Sequence, residues 1–184
     1  LQTGDAVVLN NVPAGDLAQV RFNRDETAIA FGLNRDTAPY DLYYMPLGSE
    51  ATRLTSALNP AINSEFMVEG EVVRFASYDG LNVPGILYQP REASSENPAP
   101  ALVWVHGGPG GQSRKGYSAA IQHLVNHGYA VYQINNRGSS GYGKTEPLLP
   151  KTFPYLITEK LILLEPLILF ADIKSLSEHS FVAP

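Results

Sequence analysis

The sequence predicts an α/β fold that follows a segment built only of β-strands. Residues 101–134 contain a strand, a glycine-rich loop, a helix and a second strand, which is the order of a βαβ unit. Residues 1–68 instead alternate short strands with turns. The chain has 184 residues, of which 44% are hydrophobic, so it can pack one ordinary domain or pieces of two.

The candidate strands of the first segment are about five residues long and recur about every ten residues, which is typical of a sandwich, barrel or propeller. A propeller blade contains four such strands, and about one blade is visible. No second copy is present to prove a repeat. The candidate strands are Ala6–Leu9, Leu17–Phe22, Thr27–Phe31, Asp41–Met45 and Thr52–Leu54.

The pattern changes near residue 69. Glu71–Phe75 and Val83–Tyr88 flank an Asp79-Gly80 pair, which is a strong signal for the turn of a β-hairpin. Ala101–Val105 is continuously apolar, and this predicts a strand buried on both faces of a parallel sheet.

A helix and a further strand complete the βαβ unit. Apolar residues recur at helical spacing from Tyr117 through Ala120, Ile121, Leu124 and Val125. Gly128 stands where a glycine commonly ends a helix, and Tyr129–Ile134 is the next strand. We therefore expect Ala101–Val105 and Tyr129–Ile134 to be parallel strands joined right-handedly through a helix over 117–126.

Charge and composition argue against several partners. The net charge is −5 and the largest basic cluster is Arg114-Lys115, so nucleic acid is a poor candidate. The most apolar stretch, Leu161–Phe170, is too short to cross a membrane. The absence of cysteine excludes disulfides and thiolate metal sites but leaves the compartment open, whether cytoplasmic, periplasmic or secreted. Because the first residues resemble the middle of a β-domain, we expect a fragment.

The sharpest chemical signal is His106-Gly-Gly-Pro-Gly-Gly-Gln112, which directly follows a predicted buried strand. Glycines let the backbone approach a ligand closely and turn its N–H groups toward it. A strand that ends in H-G-G and leads into a helix is how α/β-hydrolases build half of an oxyanion hole. The spacing alone equally allows a tight turn between strand and helix.

A second signal is a phosphate-loop match. Residues 138–145 fit G-x-x-x-x-G-K-[ST] and follow a strand. The lysine of such a loop should open a helix, yet Pro147 and Pro150 fall in its first two turns, and Pro150 should break it. The prolines favour a plain loop over a nucleotide site.

Metal and nucleophile signals are weak. His123 and His127 stand one helical turn apart, but no third ligand is evident, which favours a solvated helix face. No serine lies in the G-x-S-x-G pattern of a nucleophile elbow. Ser113, Ser139 and Ser140 lie in other contexts, and no histidine is identifiable as the partner of a nucleophile.

Three motifs together resemble the start of the catalytic domain of the prolyl oligopeptidase family of serine peptidases. They are F-x-S-Y-D-G-L-x-V-P-G-x-L-Y-x-P at 75–90, V-H-G-G-P-G-G-Q at 105–112 and N-x-R-G-S-S-G-Y-G-K at 135–144. The resemblance is nearest to the acylaminoacyl-peptidase and dipeptidyl-aminopeptidase branch. Asp41-Leu-Tyr-Tyr-Met-Pro-Leu-Gly with Thr52-Arg-Leu-Thr is similar to the end of a blade in that family's propeller.

The resemblance implies an α/β fold in which residues 69–145 are the N-terminal part of an α/β-hydrolase domain, preceded by a β-propeller remnant at 1–68. It also explains residues 138–145 as a family loop without a nucleotide. Residues 146–184 depart from the family as a proline-broken, Leu/Ile-rich tail, which could be a frameshift, a truncation or a genuine divergence.

The implied activity is hydrolysis of short peptides through a Ser-Asp-His triad, with a peptide substrate in the full-length enzyme and no cofactor. Gly108 matches the glycine whose backbone N–H donates to the oxyanion, and His106 and Gly107 belong to the same loop. Some relatives place a tyrosine at the position of His106, so this chain resembles the backbone-donor branch. The serine and the rest of the triad have no counterpart, which implies an inactive chain. A phosphate-loop nucleotide binder and a non-enzymatic interaction module remain the alternatives.

Overall fold

The computed structural model describes residues 8–76, 80, 82–107, 110–136 and 138–142. The chain divides into two compact units. The first contains Leu1–Met67 together with Lys115–Ser118, and the second contains Val68–Arg114 and Ala119–Pro184.

The sheet of the first unit is an antiparallel meander in which each strand pairs with the next along the chain. The strands are β1 (Asp16–Phe22), β2 (Ala28–Arg35), β3 (Ala38–Pro46) and β4 (Thr52–Arg53), and one turn of 3₁₀ helix follows at Ser64–Phe66. These strands agree with the predicted ones apart from their ends.

The first predicted strand, Ala6–Leu9, is not observed where the structure can be described. Val8 and Leu9 form no strand, and Val8 is largely exposed. Ala6 and Val7 lie outside the described residues. A short apolar run without a partner strand has no ladder to hold it, so its composition alone is a weak strand signal.

The core of the first unit lies on one face of the meander. Phe31 of β2 stacks on Tyr43 of β3 with ring centroids 5.6 Å apart, and Ile29, Leu33 and Met45 bury beside them. On β3 the residues between the buried ones are exposed. This is the two-residue period expected of strands with one buried face.

Asp41 is a buried carboxylate on β3 that organises the end of this sheet. It forms an ion pair with Arg53 of β4 and accepts hydrogen bonds from the Thr55 hydroxyl (2.9 Å) and the Ala57 backbone N–H (2.8 Å). Burial alone would raise the pKa of Asp41, but the Ala57, Thr55 and Arg53 donors outweigh it and lower the pKa.

Residues 115–118 belong to the first unit, and side chains from the end of β2 and from the β2–β3 turn bind their backbone. The Asp36 carboxylate accepts from the Gly116 N–H at 2.6 Å and pairs with Lys115 at 3.2 Å, and Asn34 accepts from the Tyr117 N–H at 3.3 Å. The prediction that Tyr117 starts the helix is therefore wrong. Its backbone is held by these side chains, and the helix begins two residues later.

The second unit contains a mixed sheet in the order β5-β6-β8-β7. Its strands are β5 (Glu71–Ala76), β6 (Asn82–Tyr88), β7 (Ala101–Val105) and β8 (Ala130–Ile134). β5 and β6 form the predicted antiparallel hairpin, and Gly80 in its turn has a φ of 82°, while Asp79 lies outside the described residues. β7 and β8 pair in parallel, as predicted.

The helix α1 (Ala119–Asn126) packs against this sheet through Ile121 and Val125, which bury with Ile86, Tyr88 and Val131. Gly128 ends the helix as predicted, with a φ of 88° that favours glycine. The Tyr129 N–H donates to the Leu124 carbonyl at 3.1 Å and the Gly128 N–H to the Val125 carbonyl at 3.0 Å, which is a Schellman motif.

The expectation that Ala101–Val105 is buried on both faces is wrong for this structure. Leu102, Val103 and Trp104 remain 38%, 48% and 41% exposed. Within the part of the chain that the structure describes, β7 is an edge strand whose pairing partner is β8. An apolar strand becomes buried only when neighbours cover its edge and both faces.

Candidate functional site

Two loops leave the carboxyl ends of the parallel strands β7 and β8. We call them the β7 loop (residues 106–113) and the β8 loop (residues 135–142). In open α/β sheets the carboxyl ends of parallel strands lie along one edge, where ligand sites form. The two loops are therefore brought together by the strand order, although they are far apart in sequence.

A side-chain hydrogen bond joins the loops. His106 Nε2 lies 2.9 Å from Ser139 Oγ, and the Ser139 hydroxyl lies 2.6 Å from the backbone carbonyl of Asn136. A carbonyl can only accept, so the single hydroxyl proton of Ser139 points to Asn136. The Nε2 of His106 then carries a proton and donates it to Ser139, while Nδ1 of the same ring lies 3.4 Å from the Gly107 carbonyl oxygen, a long contact in which only the nitrogen can donate.

Gly111 is the point where the β7 loop folds back on itself. A Cβ at this position would lie 2.6 Å from both the Gly107 carbonyl oxygen and His106 Nδ1, so any side chain here would clash with them. On its other side the Gly111 carbonyl accepts from the Ser140 N–H at 2.9 Å. Glycine at 111 thus permits a close approach between three segments.

Asn135 forms a second bridge between the loops and is only 4% exposed. Its Oδ1 accepts from the Ser113 N–H at 2.6 Å, and its Nδ2 donates to the Ser113 carbonyl and to the Tyr142 hydroxyl, both at 2.9 Å. Sequence reasoning did not assign Asn135 a role by itself. A polar residue directly after a buried strand is the signal that could have found it.

Tyr132 on β8 is not a candidate base. Burial raises its pKa, and the nearby Tyr142 phenol raises it further, so Tyr132 stays protonated at neutral pH. Its ring lies where a side chain at Gly85 would collide with it, and it contacts Phe75 edge to face.

Of the predicted oxyanion residues, His106 and Gly107 are described and Gly108 lies outside the described residues. The sequence identified no histidine as the partner of a serine nucleophile, and the structure places His106 within hydrogen-bond distance of Ser139. The contact arises between two loops that sequence spacing does not relate. The direction of the Ser139 proton and its 8% exposure argue against a nucleophile.

The other sequence signals are partly described. Gly138–Tyr142 of the phosphate-loop match form turns, and residues 143–145 lie outside the described residues. His123 and His127 are ring neighbours, with centroids 4.0 Å apart, and His127 Nδ1 donates to the His123 carbonyl at 2.8 Å.

Among the described residues, no three His, Cys, Asp or Glu side chains are grouped closely enough to hold a metal. No helix in the described ranges is long and apolar enough to cross a membrane.

No family model matches the chain. Among curated proteins, an uncharacterised peptidase YuxL of Bacillus subtilis is 34% identical over 120 residues, covering 65% of this chain and 18% of the relative. Dipeptidyl aminopeptidase BIII of Pseudoxanthomonas mexicana is 32% identical over 147 residues, covering 76% and 21%. The chain thus spans about a fifth of the length of these relatives.

Solved structures with the same fold include a puromycin-hydrolysing peptidase of Mycobacterium tuberculosis, with a TM-score of 0.65 and 24% identity over 77% of this chain and 22% of that one. An acylaminoacyl peptidase of Pyrococcus horikoshii gives a TM-score of 0.55 and 27% identity over 69% of this chain and 20% of that one.

These relatives and neighbours are peptidases, and they lend no support to the nucleotide-binding or interaction-module alternatives. The homologues and structural neighbours of this chain are serine peptidases of the prolyl oligopeptidase family, and the chain is a relative that matches about a fifth of their length.

Proposed function

We propose that this chain is part of a serine peptidase that hydrolyses short peptides through an acyl-enzyme, and that its β7 loop is half of the oxyanion hole. The observation that carries the proposal is the position of His106 and Gly107. They directly follow β7, at the end of the sheet where the carboxyl ends of β7 and β8 lie side by side. His106 is hydrogen-bonded to Ser139 of the β8 loop. α/β-Hydrolases place an oxyanion loop after a strand in this way.

The same proposal assigns the chain's segments. Residues 1–68 are a remnant of about one propeller blade, which the four-stranded antiparallel meander supports. Residues 69–145 are the N-terminal part of an α/β-hydrolase domain, which the β7-α1-β8 unit supports. Residues 146–184 stay unassigned.

In this mechanism the Gly108 N–H donates to the oxygen of the tetrahedral intermediate as negative charge develops on it. Such donors stabilise the transition state more than the ground state, and losing one costs about 10²–10³ in kcat. A serine attacks the carbonyl after a histidine takes its proton. No nucleophile elbow is recognisable in this sequence, so we propose that the chain alone is inactive.

A peptide substrate is proposed by analogy with the relatives. One of them is named a dipeptidyl aminopeptidase, and one structural neighbour is a puromycin hydrolase variant complexed with PGG. We therefore propose small peptides as the substrate class of the complete enzyme.

A chimera tests the proposal. Residues 69–142 of this chain replace the matching segment of the Pseudoxanthomonas dipeptidyl aminopeptidase, and hydrolysis of a dipeptidyl p-nitroanilide is measured. The chimera should be active. Gly108→Pro removes the backbone N–H and should lower kcat by about 10²–10³. Gly108→Ala keeps the N–H and is the matched control. A folded chimera in which both variants are equally active would overturn the oxyanion assignment.

A further inference from the structure

Ser139 is buried within the β8 loop, and its hydroxyl both accepts and donates a hydrogen bond. It accepts from His106 Nε2 at 2.9 Å and donates to the Asn136 carbonyl at 2.6 Å. The bond to His106 spans 33 residues of sequence and links two loops that α1 and β8 separate along the chain. A buried serine that relays a hydrogen bond in this way holds its neighbours in one arrangement.

We propose that Ser139 is a positioning residue for the oxyanion loop, since it accepts the Nε2 proton of His106 and thereby fixes the adjoining Gly107 backbone. This inference rests on the proposed function of the β7 loop. Ser139 touches no substrate in this scheme and acts only through His106. It fixes the loop that carries Gly107 before substrate arrives.

Further contacts between the β7 loop and the β8 loop stabilise the same arrangement. The Ser140 N–H donates to the Gly111 carbonyl, and Gly111 packs against Gly107 and His106 without room for a side chain. Moving the β7 loop away would break the bonds made by Ser139 and Ser140 together. The Ser139 hydroxyl would keep its bond to Asn136, so the loss is that of two hydrogen bonds, each worth about 0.5–1.5 kcal/mol, which favours the arrangement in which the two loops are joined.

The rival interpretation makes Ser139 a nucleophile and His106 its base. It requires the opposite proton placement, with Nε2 unprotonated and accepting the hydroxyl proton. The two interpretations therefore differ in the tautomer of His106, which can be observed. His127 provides an internal reference of the opposite kind, because its Nδ1 must carry the proton that binds the His123 carbonyl.

The experiment is long-range ¹H–¹⁵N NMR of the whole chain labelled with ¹⁵N-histidine. His106 should carry a proton on Nε2, and His127 should be the Nδ1–H tautomer with an unprotonated Nε2. Ser139→Ala should move the His106 nitrogens toward the tautomer mixture of solvent-exposed histidine. Ser139→Thr keeps the hydroxyl and should restore the parent signals, and Ser95→Ala in the exposed loop before β7 should leave them unchanged.

Kinetic measurements on the same variants in the chimera test whether Ser139 affects catalysis. Ser139→Ala should lower kcat about ten- to a hundredfold with little change in KM, because a misplaced group weakens the transition state more than binding. Ser95→Ala in the exposed loop before β7 is the activity control.

Several results would overturn the inference. They are an unprotonated Nε2 at His106, His106 signals equal to those of free histidine in a parent chain whose other amide signals are dispersed as in a folded protein, or a Ser139→Ala variant with unchanged signals and unchanged kcat. A chimera that folds but is inactive contradicts the proposed function instead, and leaves the tautomer result to decide the role of Ser139.

Discussion

Several side chains of this protein stabilise backbone rather than each other. Asn135 binds both polar groups of Ser113, Ser139 binds the Asn136 carbonyl, and Asp41 binds the Ala57 N–H. The glycine motif beginning at His106 was recognisable from sequence because close backbone approach leaves few residue choices. The Ser139 contact was not, because it joins loops whose proximity depends on strand order.

Gly111 provides a direct residue-scale test. Gly111→Ala places a Cβ 2.6 Å from the Gly107 carbonyl oxygen and from His106 Nδ1, so the β7 loop must shift. We expect a loss of about 1–3 kcal/mol in the free energy of unfolding and a change in the His106 signals. Gly110→Ala has no atom within 4 Å of its Cβ and is the matched control. Equal denaturation midpoints for the two variants would contradict the close approach.

Asp41 gives the first unit a pH dependence of defined sign. Its folded pKa lies below the ordinary 3.8, so the unfolded chain binds more protons near that pH. The stability that Asp41 contributes is present above pH 3.8 and is lost as the pH falls through the lower folded value. Asp41→Asn should reduce stability at pH 7 and flatten its fall in acid, as followed by urea unfolding. Asp25→Asn at an exposed position controls for net charge, and an unchanged acid profile in Asp41→Asn would contradict the assignment.

At the scale of elements, the sequence predicted helices and strands correctly where the spacing of apolar residues agreed with a turn or helix-ending residue beside it. The hairpin of β5 and β6, the parallel pair β7 and β8, and the glycine that ends α1 were all predicted. The start of α1 was missed because Asp36 and Asn34, which hold the segment before it, are about eighty residues away. The burial of β7 was overestimated because an apolar run does not report which neighbours are present.

Gln122 is the element-scale test, since it is a polar residue 3% exposed on the buried side of α1. Its amide accepts from the Val68 N–H at 2.9 Å and donates to the Val68 carbonyl at 2.7 Å. Gln122→Leu leaves both backbone groups unpaired and should cost about 2–4 kcal/mol in all. Gln122→Glu keeps the acceptor for the Val68 N–H but places a buried carboxylate against the Val68 carbonyl, so it should also be less stable than the parent. Chemical denaturation of the chain checks both variants, and a Leu variant as stable as the parent would refute the expectation.

At the scale of the whole molecule, an antiparallel meander and a mixed sheet form separate units along one chain. The sequence predicted both classes of sheet, because alternating short strands and a βαβ rhythm are different patterns. The family resemblance came from three motifs in order, and the relatives support it.

Among the strands that the structure describes, β7 is an edge of the mixed sheet, and this predicts poor solubility or partial folding of the isolated chain. β7 carries no charge or proline, whereas the opposite edge strand β5 carries Glu71 and Arg74. Unprotected apolar edges invite association. Val103→Lys should therefore reduce self-association in light scattering, and Val72→Lys on β5 should not. Slow hydrogen exchange across 101–134 in a monomer would show that this expectation is wrong.

Fluorophosphonate labelling of the isolated chain and of the chimera, side by side, tests most directly whether this chain supplies an oxyanion loop without a nucleophile. Activation of serine needs an aligned general base, and the Ser139 hydroxyl is already committed to Asn136. We predict that the isolated chain stays unlabelled while the chimera is labelled once, on the serine supplied by the dipeptidyl aminopeptidase. Stoichiometric labelling of Ser139 in the isolated chain, abolished by His106→Ala, would contradict the account.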